Sequence, residues 1–217
     1  VIVYVTDAGD NKSDFQNAST WQIKFANGRF GTPQKLFDGA YHDGISSDNR
    51  LAVSGARVLR ARIAINGSVV TQDAVDTVWY KYDDKAEQAC NASLSRDGSK
   101  RTLFLDFGGK TGREFVGEKY GTHERLLIAD SLGKLIQSVA APMNYSFDHS
   151  EWILGETNAA VATLTSPKGL HPKIVFVDFS DNGIVELAES EDVWHPSLWV
   201  KSFAQNTNVS WNLDSIG

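Results

Sequence analysis

The sequence predicts an all-β protein, a small β-propeller of four blades with about 50 residues each. Three observations carry that prediction. An apolar run followed by Ser-x-Asp, a turn and a second apolar run recurs, with Ser46, Ser95, Ser146 and His195 at equivalent places, 49, 51 and 49 residues apart. Between these signatures lies a second recurring unit of strand, tight Gly-containing turn and strand. Helical periodicity is nearly absent. Each period thus supplies four short antiparallel strands, the content of one propeller blade.

Taken in order, residues 1–6, 21–25 and 34–37 read as a first blade without its innermost strand, turning at Asn27-Gly28. Both central residues of a type I′ turn need positive φ, which Asn-Gly supplies. The first signature, residues 44–53, gives the inner strands of a second blade. Residues 58–65 and 69–73, joined by Asn66-Gly67, complete it. Residues 93–98 lead into 103–105 for a third blade, which the 126–130 and 135–139 hairpin finishes around Gly133. Residues 144–149 lead into 152–154 for a fourth, finished by 174–178 and 184–188 around Asn182-Gly183. Residues 192–200 read as an innermost strand without followers. Pairing them with the first blade closes the ring and removes exposed sheet edges. A five-bladed ring, with residues 202–217 and a long loop forming extra strands, is the alternative.

The Ser-x-Asp signature followed by strand and hairpin resembles the TolB-type family of β-propeller repeats, whose blades carry a related Ser-Pro-Asp-Gly turn between their first two strands. The copies at Ser46-Ser47-Asp48, Ser95-Arg96-Asp97 and Ser146-Phe147-Asp148 lack the Pro, and only Gly98 keeps the Gly. The resemblance spans essentially the whole chain. It implies a fold and no particular activity, because such propellers range from scaffolds to hydrolases.

Composition narrows the function classes. The chain has 217 residues, 27 acidic against 21 basic, a net charge of −6 and 41% hydrophobic residues. That balance excludes the basic footprint of a nucleic-acid binder. No apolar run reaches the 18 residues of a membrane-crossing helix. Cys90 is the only cysteine, so no intramolecular disulfide or thiolate metal cluster forms. Residues 1–217 read as one domain, monomeric, excised from a larger bacterial envelope or secreted protein.

In a propeller, chemistry gathers where loops open on the channel, and here loops 7–20, 74–89, 107–124 and 157–172 are long. The Gly-rich, basic stretch 107–113 is read as an ordinary loop, without P-loop spacing or a following helix. Asp48, Asp97 and Asp148 are expected to cap their own turns. Asp43 and Asp192, each three residues before a signature position, are the candidate pair of channel-mouth carboxylates, suited to glycosidic acid–base work or cation binding. His42 and His195, from adjacent innermost strands, are placed to meet near the axis.

Asp7, Asp10 and Asp14 with Asn11 form an oxygen-rich loop that would suit Ca2+, against the plainer reading of a solvated acidic loop with no cofactor. Trp79 and Tyr82 offer aromatic faces for a sugar or peptide, against a peripheral packing strand. No complete catalytic constellation is present. The leading expectation is therefore a non-catalytic module binding a protein or glycan through His42, Asp43, Trp79, Tyr82, Asp192 and His195. A glycoside hydrolase using Asp43 and Asp192 is the first alternative and a structural spacer the second.

Overall fold

The computed structural model describes residues 1–6, 18–39, 42–80, 88–155 and 158–200, without the side chains of residues 43 and 56. β1 (Ile2–Thr6) pairs antiparallel with β2 (Ser19–Ile23). A short ribbon, β3 (Phe25–Ala26) and β4 (Arg29–Phe30), turns at Asn27 and Gly28, whose φ values of 52° and 72° are those the Asn-Gly signal requires. β5 (Gln34–Asp38) returns beside β2. β6 (His42–Ile45) pairs with the first part of β7 (Leu51–Ile63), and the far end of β7 pairs with β8 (Val75–Tyr80). β9 (Ala89–Leu94) and β10 (Thr102–Asp106) precede a helix, α1 (Lys110–Val116). β11 (Arg125–Ala129) and β12 (Leu135–Ala140) complete that meander. β13 (Ser146–Trp152), β14 (Ala159–Thr165), β15 (Lys173–Asp178) and β16 (Gly183–Glu189) form a second four-stranded meander.

The chain is all-β, made of antiparallel meanders, consistent with a β-propeller-like fold. The described residues form three hydrophobic clusters. One gathers Leu36, Phe37, Ile45, Ala52 and Val69; the next gathers Leu51, Val53, Leu59, Phe104 and Leu127; the third gathers Leu103, Leu105, Phe147, Trp152 and Leu164. Along β10 the phase is plain: Leu103 and Leu105 enter one cluster and Phe104 between them enters the other. A sheet buried on both faces reads as an unbroken apolar run, which explains Leu103-Phe104-Leu105 and Leu126-Leu127-Ile128. Each such fully buried side chain contributes about 1.5–3 kcal/mol.

β6–β8 and β9–β12 are fused. Ala56 and Arg57 of β7 pair with Cys90 and Ala89, giving one seven-stranded sheet. Close approach is possible because the residues there are small. A Cβ on Gly55 would lie 3.1 Å from Ala92 Cβ, and one on Gly44 would lie 2.6 Å from Leu94 Cβ.

Several expectations are corrected. Residues 69–73 form turns, and β7 meets β8 across a longer connection. The third Ser-x-Asp copy is no turn: Ser146 and Asp148 lie within β13, which pairs along its length with β14. The first two copies are turns as expected. Ser46 Oγ accepts from Leu51 N (2.9 Å) and donates to Asp48 Oδ1 (2.7 Å), and Ser95 Oγ accepts from Arg101 N (2.9 Å). The loop after Phe107 is followed by α1 after all. Gly112 hides that helix from periodicity, and packing requires it, since a Cβ there would lie 2.7 Å from Asp106 Oδ2. The described backbone bonds of 193–200 run to His171 and Leu154, whereas β1 pairs with β2.

Candidate functional site

Two bulges shape the centre of the molecule. In β13 the register passes from Asp148–Thr163 to Glu151–Val161, so His149 and Ser150 together face one residue of β14. In β9 it passes from Ser93–Leu103 to Cys90–Leu105, so Asn91 and Ala92 do the same. Asn91 and His149 both sit in the left-handed region, with φ of 56° and 44°. Bulges re-aim side chains, and left-handed non-glycine residues concentrate at functional sites. The bulges also lock together. With the Asn91 amide turned to satisfy both its ends, Oδ1 accepts from His149 N (2.6 Å) and Ser150 N (2.8 Å), while Nδ2 donates to Ser150 O (3.0 Å).

The β13 bulge puts His149 into a cluster of rings. Its centroid lies 3.9 Å from His195, 5.5 Å from His42 and 5.1 Å from Trp194. His42 and His195 are stacked at 6.2 Å, so the two histidines expected near each other do meet. His171 packs on Trp194 at 3.5 Å. A polar chain runs beneath: Asp148 Oδ2 lies 3.1 Å from His171 Nε2, and Asp192 Oδ1 lies 3.0 Å from His171 Nδ1. Asp192 also accepts from His171 N (3.0 Å) and, through Oδ2, from Trp194 Nε1 (2.7 Å). The order His149, Asp148, His171, Asp192, Trp194 leads from the buried interior to a half-exposed indole, 48% accessible.

Electrostatics follow from burial. Burial lowers the His42 pKa to about 4, with help from the His149 and His195 imidazoles against the pull of Asp148. Burial likewise lowers His149, against Asp148. The Trp194 N–H, and then the His171 backbone N–H, hold Asp192 below the ordinary carboxylate range. Asp192 is therefore suited to accept hydrogen bonds or carry charge. A general acid must hold its proton at working pH, and Asp192 does not.

A second pair, Cys90 and His123, resembles a nucleophile and base. Cys90 Sγ lies 3.2 Å from His123 Nε2. Burial, with Asp148 and Asp106, raises the thiol, and burial lowers His123. Both are driven to their neutral forms, so this is a thiol–imidazole contact with no thiolate.

Asp148 was expected to cap a turn. Instead it accepts from His149 N (2.9 Å) and pairs with His171, because its residue belongs to a bulged strand. Trp79, on β8, is half-buried against the second apolar cluster and covers Gly133, where a Cβ would strike its ring. The Asp43 backbone pairs with Ser54, and its side chain lies outside the described residues, as do Tyr82, Asp7, Asp10 and Asp14. Among the described residues, no group of three His, Cys, Asp or Glu side chains is placed to hold a metal ion. No described helix is long and apolar enough to cross a membrane. Sequence reasoning missed His149, His171, Asp148 and Trp194 as members of the cluster.

No protein-family model matches the chain, and no curated protein does. Among solved structures, it is similar to the crystal structure of TolB from Acinetobacter baumannii, at 14% identity and a TM-score of 0.48. The match covers 81% of this chain and 39% of that one, so the chain spans less than half the length of that protein. The likeness is one of fold.

Proposed function

We propose that the chain is a non-catalytic, propeller-type binding module whose face at the histidine cluster takes a neutral glycan. The observation that carries this reading is Trp194. Its indole is half exposed, fixed at its N–H by Asp192 and backed by the His171 ring. A rigid aromatic face beside hydrogen-bonding carboxylates is what a sugar ring needs, apolar on one side and hydroxyl-rich at its edge. The net charge of −6 and the ionised Asp192 disfavour an acidic sugar.

In this reading the blades number four and the cluster lies at their common axis. His195 of the closing segment meets His42 of β6 and His149 of β13, as inner segments around one axis would. Ala159, Val161 and Thr163, on the β14 face opposite Ala160 and Ala162, are buried as well, as in a strand packed on both faces.

The test is a fluorescence titration of the chelator-treated chain with neutral gluco-, xylo- and manno-hexaoses. At least one should bind saturably, and Trp194→Ala should weaken it tenfold or more. Absence of saturable binding by all three, or binding unchanged in Trp194→Ala, would overturn the reading.

A further inference from the structure

We propose that the β3–β4 ribbon docks the chain on an anionic lipid surface, which Phe25 and Phe30 enter and Lys24 and Arg29 hold. Residues 24–35 are all exposed, the longest such run among the described residues. The ribbon leaves its sheet after Ile23, the end of β2 that pairs with Ile2, and turns at Asn27-Gly28. Gly31 N donates to Lys24 O (2.8 Å) and closes its base. Neither phenylalanine enters any of the three apolar clusters. Instead Phe25 lies opposite Phe30 with ring centroids 4.9 Å apart, and the two stay 50% and 65% exposed. Contiguous bare aromatic surface on an element that stands clear of the core marks an interaction site.

The register gives the ribbon two unlike faces. Opposed residues of an antiparallel pair share a face and successive residues alternate, so Phe25 and Phe30 lie on one side and Ala26 and Arg29 on the other. Lys24 joins the Arg29 side, where a Cβ on Gly31 would lie 3.6 Å from Lys24 Cβ. Lys35 is paired with Asp38, whereas Lys24 and Arg29 make no ion pair among the described residues. Residues 24–35 hold three cations and no carboxylate, in a chain whose net charge is −6. Positive charge is thus concentrated where the aromatic rings are bare. An element apolar on one face and cationic on the other lies in the plane of a bilayer interface, its rings among the acyl chains and its cations reaching back to the phosphates. Each Lys or Arg near an anionic surface strengthens binding about fivefold. The same surface repels the acidic remainder of the chain, so the ribbon sets the orientation of docking. A fluid surface accepts two protruding rings without a preformed complement, whereas a protein partner needs a groove shaped to both.

This inference goes beyond the glycan reading and does not rest on it, since neither Trp194 nor any histidine belongs to the ribbon. Its test is co-sedimentation of the chain with vesicles of phosphatidylcholine, alone or with about one quarter phosphatidylglycerol. The mixed vesicles should bind the chain saturably, and the neutral ones at least tenfold more weakly. Phe25→Thr with Phe30→Thr should weaken binding to the mixed vesicles at least tenfold. Lys24→Gln with Arg29→Gln should weaken it roughly 20-fold. Threonine keeps strand propensity and all four side chains lie outside the core, so both double variants should keep the wild-type melting temperature. Added salt should weaken wild-type binding more than that of the Lys24→Gln, Arg29→Gln variant. No binding to the mixed vesicles would overturn the proposal and leave the ribbon to a protein partner. Equal binding to both kinds of vesicle, or binding unchanged in either double variant, would overturn it too.

Discussion

Replacing Asn91 tests the link between the bulges and the cluster. Asn91 is buried, 2% accessible, and left-handed, and its amide serves three backbone groups of the neighbouring bulge. Truncation to Gly keeps the backbone conformation and removes the amide. His149 N retains Asp148 Oδ1 at 2.9 Å, but Ser150 N and Ser150 O, at a residue without a register partner in β14, lose the amide. Two buried backbone groups left unpaired cost about 1–3 kcal/mol each, or roughly 2–6 kcal/mol together. Truncation to Ala costs that and about 1–2 kcal/mol more, for placing a Cβ residue at positive φ. In an ordinary strand the order is reversed, because Gly is worse than Ala by about 0.5–1 kcal/mol. Urea unfolding of both variants, at unchanged m-value, reads the difference. Asn91→Gly should be the more stable of the two. If Asn91→Ala equals or exceeds it, or if both lie within 1 kcal/mol of wild type, the account of interlocked bulges is wrong.

Two further predictions concern the frame around the site. Gly44→Ala should cost about 1–3 kcal/mol, because its Cβ would meet Leu94 N at 2.7 Å and force β6, which carries His42, away from β9. Gly98→Ala has open space around it and pays only for a φ of 86°, so calorimetry should find it the milder variant; equal losses would refute the close-approach argument. Burial raises the Asp97 pKa, but hydrogen bonds from Ser99, Arg101 and Ser95 outweigh it and hold the carboxyl at about 2. A folded-state value below the unfolded one gives stability that is present above about pH 4 and lost as pH falls through about 2. With the side chain only 22% accessible, the loss is roughly 2 kcal/mol. Wild type and Asp97→Asn should therefore differ in urea midpoint at pH 6 and converge near pH 2, and a constant gap would count against the carboxylate's role.

The fold class was legible because the strands follow simple rules. Asn27-Gly28 gave a hairpin with the required positive φ, and the Ser46 and Ser95 turns bond as their residue types dictate. The meeting of His42 with His195 was legible as well, because the repeat expects both in innermost strands. The third signature misled because Ser146-Phe147-Asp148 resembles the turn in composition but lies inside a strand. Matching the bulges instead, Asn91 with His149, gives a spacing of 58 residues and not 51. The error carried Asp148 into a turn and hid His149 from the cluster. His171 and Trp194 carried no local signal, since they join the site through contacts with Asp148 and with the His149 ring, both distant in sequence. The missed helix had the same cause at smaller scale, a residue chosen for packing at Gly112 against its own propensity.

The phase of the core shows why the bulges exist. Side chains in a regular strand alternate faces, so residues an odd number apart point to opposite sides. Phe147 and Trp152 are five apart on β13, yet both enter the same apolar cluster. Ala89 and Ala92 are three apart on β9, yet both enter the cluster on the other side. Each pair demands one extra residue between its members, and those residues are in the bulges at His149 and Asn91. The backbone strain at the candidate site is thus imposed by the core and offset by it. Burying Phe147 and Trp152 on one face contributes several kcal/mol, about 1.5–3 for each large side chain, against about 1–3 for a left-handed residue. The histidine cluster can hold its conformation without a ligand because the apolar phase of the two strands leaves no alternative register that keeps both aromatic anchors buried.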